Sequence, residues 1–536
     1  MLTATLSLPV TEISREADLL AVLAGLLPHA TGISIAERLL LSRVETEAAP
    51  EFLASLKRQI RQGRDPLGEA YARVHSPEAR RGAGVTLTPL PVVDQVVSLA
   101  ADLLPKPHRV VDCGAGSGRF TIAALQRFRA ARIVACEINP LLALVLRANV
   151  ACSGLEARLE VFVGDFRELT LPRGGGPTLF IGNPPYVRHH DIPAFWKNWY
   201  QRGLQSYGAE GSQLAGLHLH FFLKAKLLAQ AGDAGCFITA AEWLDVGYGA
   251  GLRQLLLNGL GGVAVHTFPP EQNVFPDALT TAAITSFQVG SEIDGMRFST
   301  QGDRTQTRWI SCATLQSTPN WSSLTRPQPA RPKQATKTLG DYFKVQRGQV
   351  TGANNLWIVS PDHPELPESV MFPAVTQAED LLNLNGGALR DPGKLKRVID
   401  LPADLSILPL AQRRKVESFL VWAEKLGARN SYIASHRKPW WCVNLREPAP
   451  VIMTYMGRRP PVFARNLAGA RLLNIAHGLY PLQPIAPRTL NALVDWLNKN
   501  TPLAAGRVYA GGLVKFEPGE AMRIPVPPLE HFSHVA

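Results

Sequence analysis

Residues Asn183-Pro184-Pro185-Tyr186 follow an apolar run, Thr178 to Ile181, that reads as a strand closed by Gly182. Two successive prolines can continue neither a helix nor a sheet ladder, so the chain must turn sharply there. The turn carries a definite set of chemical groups. The Asn183 side-chain oxygen and the Pro184 carbonyl are acceptors, proline adds no competing N–H, and Tyr186 offers a flat π-face. Such a set suits a planar molecule with an exocyclic amino group. If the two oxygens take the two N–H hydrogens, the nitrogen is drawn towards tetrahedral geometry and its delocalised lone pair becomes available. The ring of Tyr186 can then stack on the base. An Asn-initiated turn without chemistry is the simpler reading of the tetrapeptide alone, so its meaning depends on what precedes it.

Three earlier strand ends carry matching signals. "VVDCGAGSGRF", Val110 to Phe120, sets Gly114, Gly116 and Gly118 between a strand and a helix, where the backbone can pass close to a ligand. The spacing is GxGxG rather than the dinucleotide GxGxxG, and Asp112 precedes it. A carboxylate there repels a pyrophosphate and suits a ligand with a cationic amino-acid end, which favours S-adenosylmethionine over NAD. About twenty residues on, "RIVACEINP" ends in Glu137, placed to accept from ribose hydroxyls. "LEVFVGDF" ends in Asp165, placed to accept from an adenine amino group, with Phe166 beside it to cover the ring. Each acid alone reads as a strand-end cap; at three successive strand ends they read as one cofactor site.

The elements that must position these residues follow from periodicity. Short β-rich runs alternate with helical ones from about Pro77 to Gln288, with helices expected at 120–128, 140–150, 216–231 and 249–257. This predicts an α/β, Rossmann-like domain with a mostly parallel sheet and ligands at the carboxyl ends of its strands. "VAVHTF" and "AAITSFQV" lack a long helix between them and predict an antiparallel hairpin at one edge. Residues 1–76 have apolar positions at three and four and predict a helical N-terminal subdomain. The catalytic domain is expected over 77–316, and a Pro-, Ser- and Thr-rich linker over 317–338. A mixed α+β domain follows over 339–536, with a β segment at "YFKVQRG" and helices at "LAQRRKVESFLVWAEKL" and "RTLNALVDWLNKN".

The net charge of +12 is unevenly placed. Residues 1–300 hold 27 basic and 27 acidic side chains, leaving 29 and 17 of the totals of 56 and 44 to residues 301–536. A basic C-terminal part is the electrostatic footprint of a polyanion partner. Every long apolar run is interrupted by charge, Gly or Pro, and the N-terminus lacks the basic start and apolar core of a secretory signal, so no membrane span and a cytoplasmic location are expected. The six cysteines, without paired short spacings, predict free thiols and no metal site.

Taken together, the motifs resemble the amino-methyltransferases that modify adenine N6 in DNA, in the TaqI-like gamma arrangement. "GVTLTPLPVVDQVV" is similar to the motif that precedes the glycine loop in that class, and "DCGAGSG", "EIN", "GDF" and "NPPY" follow in the class order. The resemblance implies cofactor contacts from Thr86, Thr88, Pro89, Asp112, Gly114, Gly116, Gly118, Glu137, Ile138, Asp165, Phe166 and Asn183, and a catalytic role for Asn183, Pro184, Pro185 and Tyr186. "NVFPDALTTAAITSF" resembles the late motif whose aromatic residue closes over the flipped base, which makes Phe275 the partner of Tyr186. Beyond the linker, "HRKPWW" and "YAGGLVKFEPGEAMRIPVPP" look like parts of a TaqI-type target-recognition region, so double-stranded DNA is the implied partner. Arg437, Lys438, Trp440 and Trp441 are its candidate DNA contacts, although tryptophans packing a domain core fit as well. Lys344 and Arg347 read as a solvated strand face. Arg119 receives no role, and His189 and His190 read as solvent- or DNA-facing.

Two rival readings remain. An N-methyltransferase acting on RNA or on a protein glutamine poses the same lone-pair problem, but needs no basic domain of some two hundred residues. A DNA-binding modification subunit without activity would not need the motif residues intact. The N-terminal block shows no nuclease pattern, so any restriction endonuclease is expected on a separate chain.

Overall fold

The computed structural model describes residues 9–29, 31–269, 272, 274–275, 281–301, 307–325, 332, 334–384, 387–508 and 513–532. Its main sheet has nine strands, β1 (Arg109–Cys113), β2 (Arg132–Glu137), β3 (Leu159–Val163), β4 (Thr178–Gly182), β5 (Ala234–Ala240), β6 (Gly262–Thr267), β7 (Ala282–Gln288), β8 (Gly295–Thr300) and β9 (Arg308–Ser311). They lie in the order β3-β2-β1-β4-β5-β7-β6-β8-β9. Strands β1 to β5 pair in parallel, so their carboxyl ends share one side of the sheet. The order reverses between β1 and β4, and chains leaving these two neighbours must diverge, which opens a crevice there.

Both faces of the sheet are covered, which is why its strands are near-continuous apolar runs rather than alternating ones. Along β1, Val110 faces one layer and Val111 the other. The first layer contains the helices Leu90–Leu103 and Arg119–Arg127, through Val93, Val96, Phe120 and Ala124. The second contains Ala194–Gln205 and Leu217–Leu228, through Tyr200, Leu204, Leu219 and Phe222. Three of the expected helices appear within a few residues of their predicted limits, at Arg119–Arg127, Pro140–Cys152 and Leu217–Leu228. The fourth begins at Ala250 and ends in a π turn, Leu256–Leu260.

Three expectations are revised. Strands β6 and β7 do pair antiparallel, but they are no edge: β7 inserts between β5 and β6, and β8 and β9 extend the sheet further. "GMRFST" and "RWIS" are too short and too polar to signal strands by themselves; they are held by pairing to β6 and to each other. The N-terminal helices Glu16–Leu26, Ile35–Leu41, Pro50–Arg61 and Pro66–Val74 are not a separate body, since the chain divides into the compact units Met1–Pro327 and Gln328–Ala536. They pack on the helix Pro140–Cys152, which is apolar on more than one face because it also meets the sheet side through Leu146 and Val150. The predicted linker is in part core. Trp321 is buried against Trp243 and Phe298 at ring distances of 6.1 and 5.8 Å, and Ser322 bonds Asp245. Residues 326–331 and 333 of the linker lie outside the described residues.

The second unit is mixed α+β. A five-stranded sheet runs Phe343–Arg347, Ala476–Pro481, Val451–Thr454, Phe463–Asn466 and Ala388–Leu389, with smaller sheets beside it. The two helices expected from periodicity are Leu410–Lys425 and Pro487–Asn500. Among the described residues no helix is long and apolar enough to cross a membrane.

The crevice depends on a residue without a side chain. Gly182, the last residue of β4, has φ of +138°, and a Cβ there would stand 3.1 Å from the Cys113 carbonyl oxygen and 3.2 Å from Asp112 Oδ1. Gly182→Ala combines a disfavoured backbone with a clash against rigid β1. It should destabilise the first unit by about 2 kcal/mol or more, visible by calorimetry as a fall of several degrees in that unit's unfolding temperature.

Candidate active site

At the carboxyl ends of β1 to β4 lies a cavity of about 180 Å³. Each strand delivers residues to its wall as the sequence order predicts: Gly114 and Gly116 after β1, Glu137 and Ile138 after β2, Asp165 and Phe166 after β3, Asn183 and Pro185 after β4. Thr86 and Leu87 line it from the segment before the helix Leu90–Leu103, and Leu217 and Phe221 from the helix Leu217–Leu228. The glycine loop keeps its open path because Gly114, Gly116 and Gly118 all have positive φ, at 90°, 56° and 92°.

The two cavity carboxylates are held differently. Glu137 accepts from the Gly116 N–H at 2.7 Å and the Asn139 N–H at 2.9 Å, so it ties the glycine loop to the end of β2. Burial raises its pKa, and these backbone donors work against the shift. A carboxylate has about four lone-pair positions, so acceptor capacity remains towards the cavity. Asp165 is clasped by Arg167 two residues on, with Nη2 to Oδ2 at 2.6 Å and Nε to Oδ1 at 3.0 Å. That guanidinium lies over the Trp196 ring at 4.0 Å. Phe166 is buried against Phe221 at 4.9 Å, and Ile138 is exposed at the rim. Arg167 was not legible as a site residue; its only sequence signal is its place two residues after Asp165.

Asp112 does not reach the cavity wall. It is fully buried behind the glycine loop, where Oδ2 accepts from the Thr121 hydroxyl at 2.6 Å and Oδ1 has no partner. Desolvation, with a smaller contribution from the nearby Glu137 charge, pushes its pKa up to about 7, against the pull of Thr121. Gly118, Thr88 and Pro89 also stand back from the wall. Pro89 caps the helix Leu90–Leu103, and Thr88 is buried beneath Asn183.

Asn183 is the central group of the β4 corner. Its Nδ2 donates to Thr88 Oγ1 at 3.1 Å, and its Oδ1 is buried with no partner. Leaving such an acceptor unpaired costs about 1–3 kcal/mol, and it has capacity for one more donor. Pro184 is buried, and Pro185 packs against Gly84 and Gly114. Tyr186 stands edge to face with Phe275 at 5.8 Å and with His218 at 6.0 Å. Thus the structure joins the two aromatic residues that the sequence separates by 89 positions. Burial alone raises the Tyr186 phenol, and it lowers His218 to about 4, so this imidazole is neutral near pH 7. Residues 273 and 276–280 of the late motif lie outside the described residues. His189 and His190 sit in a separate 3-10 turn, His190 beside Asp191 at 3.4 Å.

The candidate DNA contacts of the second unit divide. Arg437 donates to the Thr351 carbonyl at 3.1 Å and to that of Val350, and Trp441 Nε1 donates to the Pro402 carbonyl at 3.1 Å. Trp440 packs towards Trp357 at 6.3 Å. These three half-buried side chains make internal contacts, as the core-packing reading of the tryptophans allows, and Lys438 is exposed. Lys344 is exposed on its strand, and Arg347 pairs with Glu517.

Comparison with known proteins agrees with this geometry. A family described as the C-terminal domain of type II methyltransferase M.Eco57I matches residues 324–535, and the Eco57I restriction-modification methylase family matches residues 174–275. A methyltransferase domain family matches residues 110–202. The type II methyltransferase M.XamI of Xanthomonas campestris pv. amaranthicola is 46% identical over 532 residues, covering 96% of this chain and 98% of the relative. The chain belongs to the type II restriction-modification methyltransferases. M.AccI of Acinetobacter calcoaceticus is 24% identical over 368 residues, 63% of this chain and 67% of that one. The type IIL restriction-modification enzyme MmeI, solved in complex with DNA, shares the fold with a TM-score of 0.54 at 13% identity, over 89% of this chain and 75% of its own. S-adenosylmethionine is the cofactor of this methyltransferase fold. The cavity suits it, with a glycine backbone and carboxylates at two strand ends.

The state of Asp112 has a measurable consequence. Its folded pKa of about 7 lies above the ordinary 3.8, so between these values the folded chain keeps a proton that the unfolded chain has lost. The stabilisation is complete below about pH 4 and is lost as pH rises through about 7. Asp112→Asn keeps the shape and cannot titrate. Thermal unfolding followed from pH 4.5 to 8 should therefore decline less with pH in the variant than in the wild type.

Proposed function

We propose that this enzyme methylates the N6 amino group of an adenine turned out of duplex DNA. The observation that carries the reading is Asn183, a residue of the cavity lining whose side-chain oxygen is buried without a partner while its N–H is engaged by Thr88. In this reading the oxygen and the Pro184 carbonyl accept the two amino hydrogens, and Tyr186 and Phe275 flank the base. The cofactor, when bound, supplies an electrophilic methyl on a sulfonium. Glu137 would hold its ribose, Asp165 and Phe166 its adenine, and the glycine loop with Thr86 its amino-acid end. Asp112, set back behind that loop, would act by holding the helix that follows it through Thr121. In-line transfer needs orientation and fixed electrostatics more than a strong base, since the amino proton becomes acidic only as the new N–C bond forms.

The second unit fits a duplex-binding role because the whole positive excess lies beyond residue 300. That excess, and the match of residues 324–535 to a type II methyltransferase C-terminal family, favour DNA over RNA or a protein glutamine as acceptor. A cytosine N4 amino group presents the same two hydrogens. A separately encoded restriction endonuclease is the expected biological counterpart, in a restriction-modification or phage-defence system.

Incubation with methyl-labelled cofactor and mixed-sequence duplex DNA, followed by digestion to nucleosides, should place the label in N6-methyldeoxyadenosine. Label in N4-methyldeoxycytidine, or none in DNA, would overturn the reading. Asn183→Ala should slow transfer by at least about a hundredfold while cofactor affinity, measured by calorimetry, changes little. A rate within tenfold of wild type would refute the role given to the amide.

A further inference from the structure

We propose that Thr88 is a positioning residue that holds the plane of the Asn183 amide, braced by Arg119 and Asp65. The inference rests on the catalytic reading of Asn183 and adds to it a group that touches neither base nor cofactor.

An asparagine amide has two ends of nearly equal shape and opposite hydrogen-bonding character. With the oxygen towards the target, it accepts from the amino group. Turned half a revolution about χ2, it would present its own N–H groups to those of the substrate and repel them. Proline fixes the backbone beside Asn183 but not this torsion. Thr88 Oγ1 accepts from Asn183 Nδ2 at 3.1 Å and so fixes the plane of the amide; a hydroxyl can bond either end, and the amino hydrogens of the target select the oxygen-inward one. Thr88 is only 4% exposed, so water does not readily replace that acceptor. The opposite end, Oδ1, is left unpaired. Thr86 and Leu87 line the cavity and Thr88 does not, which separates it from its neighbours in the same motif.

Thr88 is itself held. Arg119 Nη1 donates to its carbonyl at 2.8 Å, and Arg119 Nε donates to Asp65 Oδ2 at 2.7 Å. Asp65 caps the helix Pro66–Val74 through the Gly68 N–H at 2.9 Å. It also accepts from Ser117 Oγ at 2.6 Å and Asn149 Nδ2 at 2.9 Å. A continuous path therefore runs from the N-terminal helices, through the arginine that follows the glycine loop, to the amide of the β4 corner. This gives the N-terminal helices a function in the site and accounts for Arg119.

The test uses the full chain. Thr88→Val removes the acceptor at constant shape. Its single-turnover methyl-transfer rate should fall at least tenfold, while calorimetric cofactor affinity and DNA affinity stay within threefold. Thr88→Ser restores the acceptor and should return to within threefold of wild type. Because Arg119 acts through Thr88, Arg119→Gln should slow transfer in the wild-type background but slow Thr88→Val little further. If Thr88→Val does not unfold cooperatively, Thr88→Ala carries the same loss. A Thr88→Val rate within threefold of wild type overturns the proposal. So does a loss confined to cofactor affinity, or a Thr88→Ser variant as slow as Thr88→Val. Failure of the function itself is separate: the wild type would then label no DNA adenine, and the same rate ratios would be read on the acceptor that it does label.

Discussion

The reversal of strand order between β1 and β4 is the constraint on which the site depends. Two parallel neighbours whose following chains must run to opposite faces cannot keep their backbones paired past the last residue, so the ladder ends and polar backbone is left at the lip of the crevice. The protein answers differently on the two sides. After β1, glycines with positive φ turn the backbone, and Glu137 from β2 receives one of its N–H groups. After β4, the two prolines remove N–H groups that would otherwise need partners. Gly182 lets the two solutions approach each other, since a side chain there would strike β1.

The arrangement is costly at rest. Asp112, Asn149 and Asn183 each keep a buried side-chain oxygen without a partner, and so does the Tyr186 hydroxyl. Polar groups of this kind weaken a fold by about 1–3 kcal/mol apiece, and the three packed layers around the sheet supply the opposing stabilisation. Beside these unpaired groups stand fully satisfied ones. Asp65 accepts from Gly68, Ser117, Arg119 and Asn149, and the Arg167 guanidinium both grips Asp165 and covers Trp196. Unpaired groups thus lie on a frame of paired ones, which limits their freedom to find an internal donor.

Several features were readable in the chain for clear reasons. The four motif ends lie within a few residues of strand termini, and a parallel sheet converts sequence order at such termini into adjacency on one edge. Glu137, Ile138, Asp165, Phe166 and Asn183 therefore meet at one cavity, as their positions predict. Asp112 carried the same pattern but lies one residue before the end of β1, and the pleat and the glycine loop bury it. Trp440 and Trp441 stayed open to two readings because cationic and aromatic residues compose both DNA surfaces and small domain cores; packing towards Trp357 and the bond to Pro402 are visible only in the fold. Strands β8 and β9 were missed because their stability comes from pairing and not from residue pattern.

Local chemistry was written in the residues: which strand ends bear acids, where the backbone must bend, which side chain has an oxygen and an N–H on one amide. Those properties depend on covalent structure and on neighbours a few positions away, so they survive without knowledge of the fold. Which side chain holds the Asn183 amide, which cation holds Asp165, and what the N-terminal helices support were decided in three dimensions. Each depends on a bond between residues distant in the chain, such as Asp65 to Arg119 or Thr88 to Asn183, and nothing in the spacing of such residues specifies their distance until the sheet and its covering helices have packed.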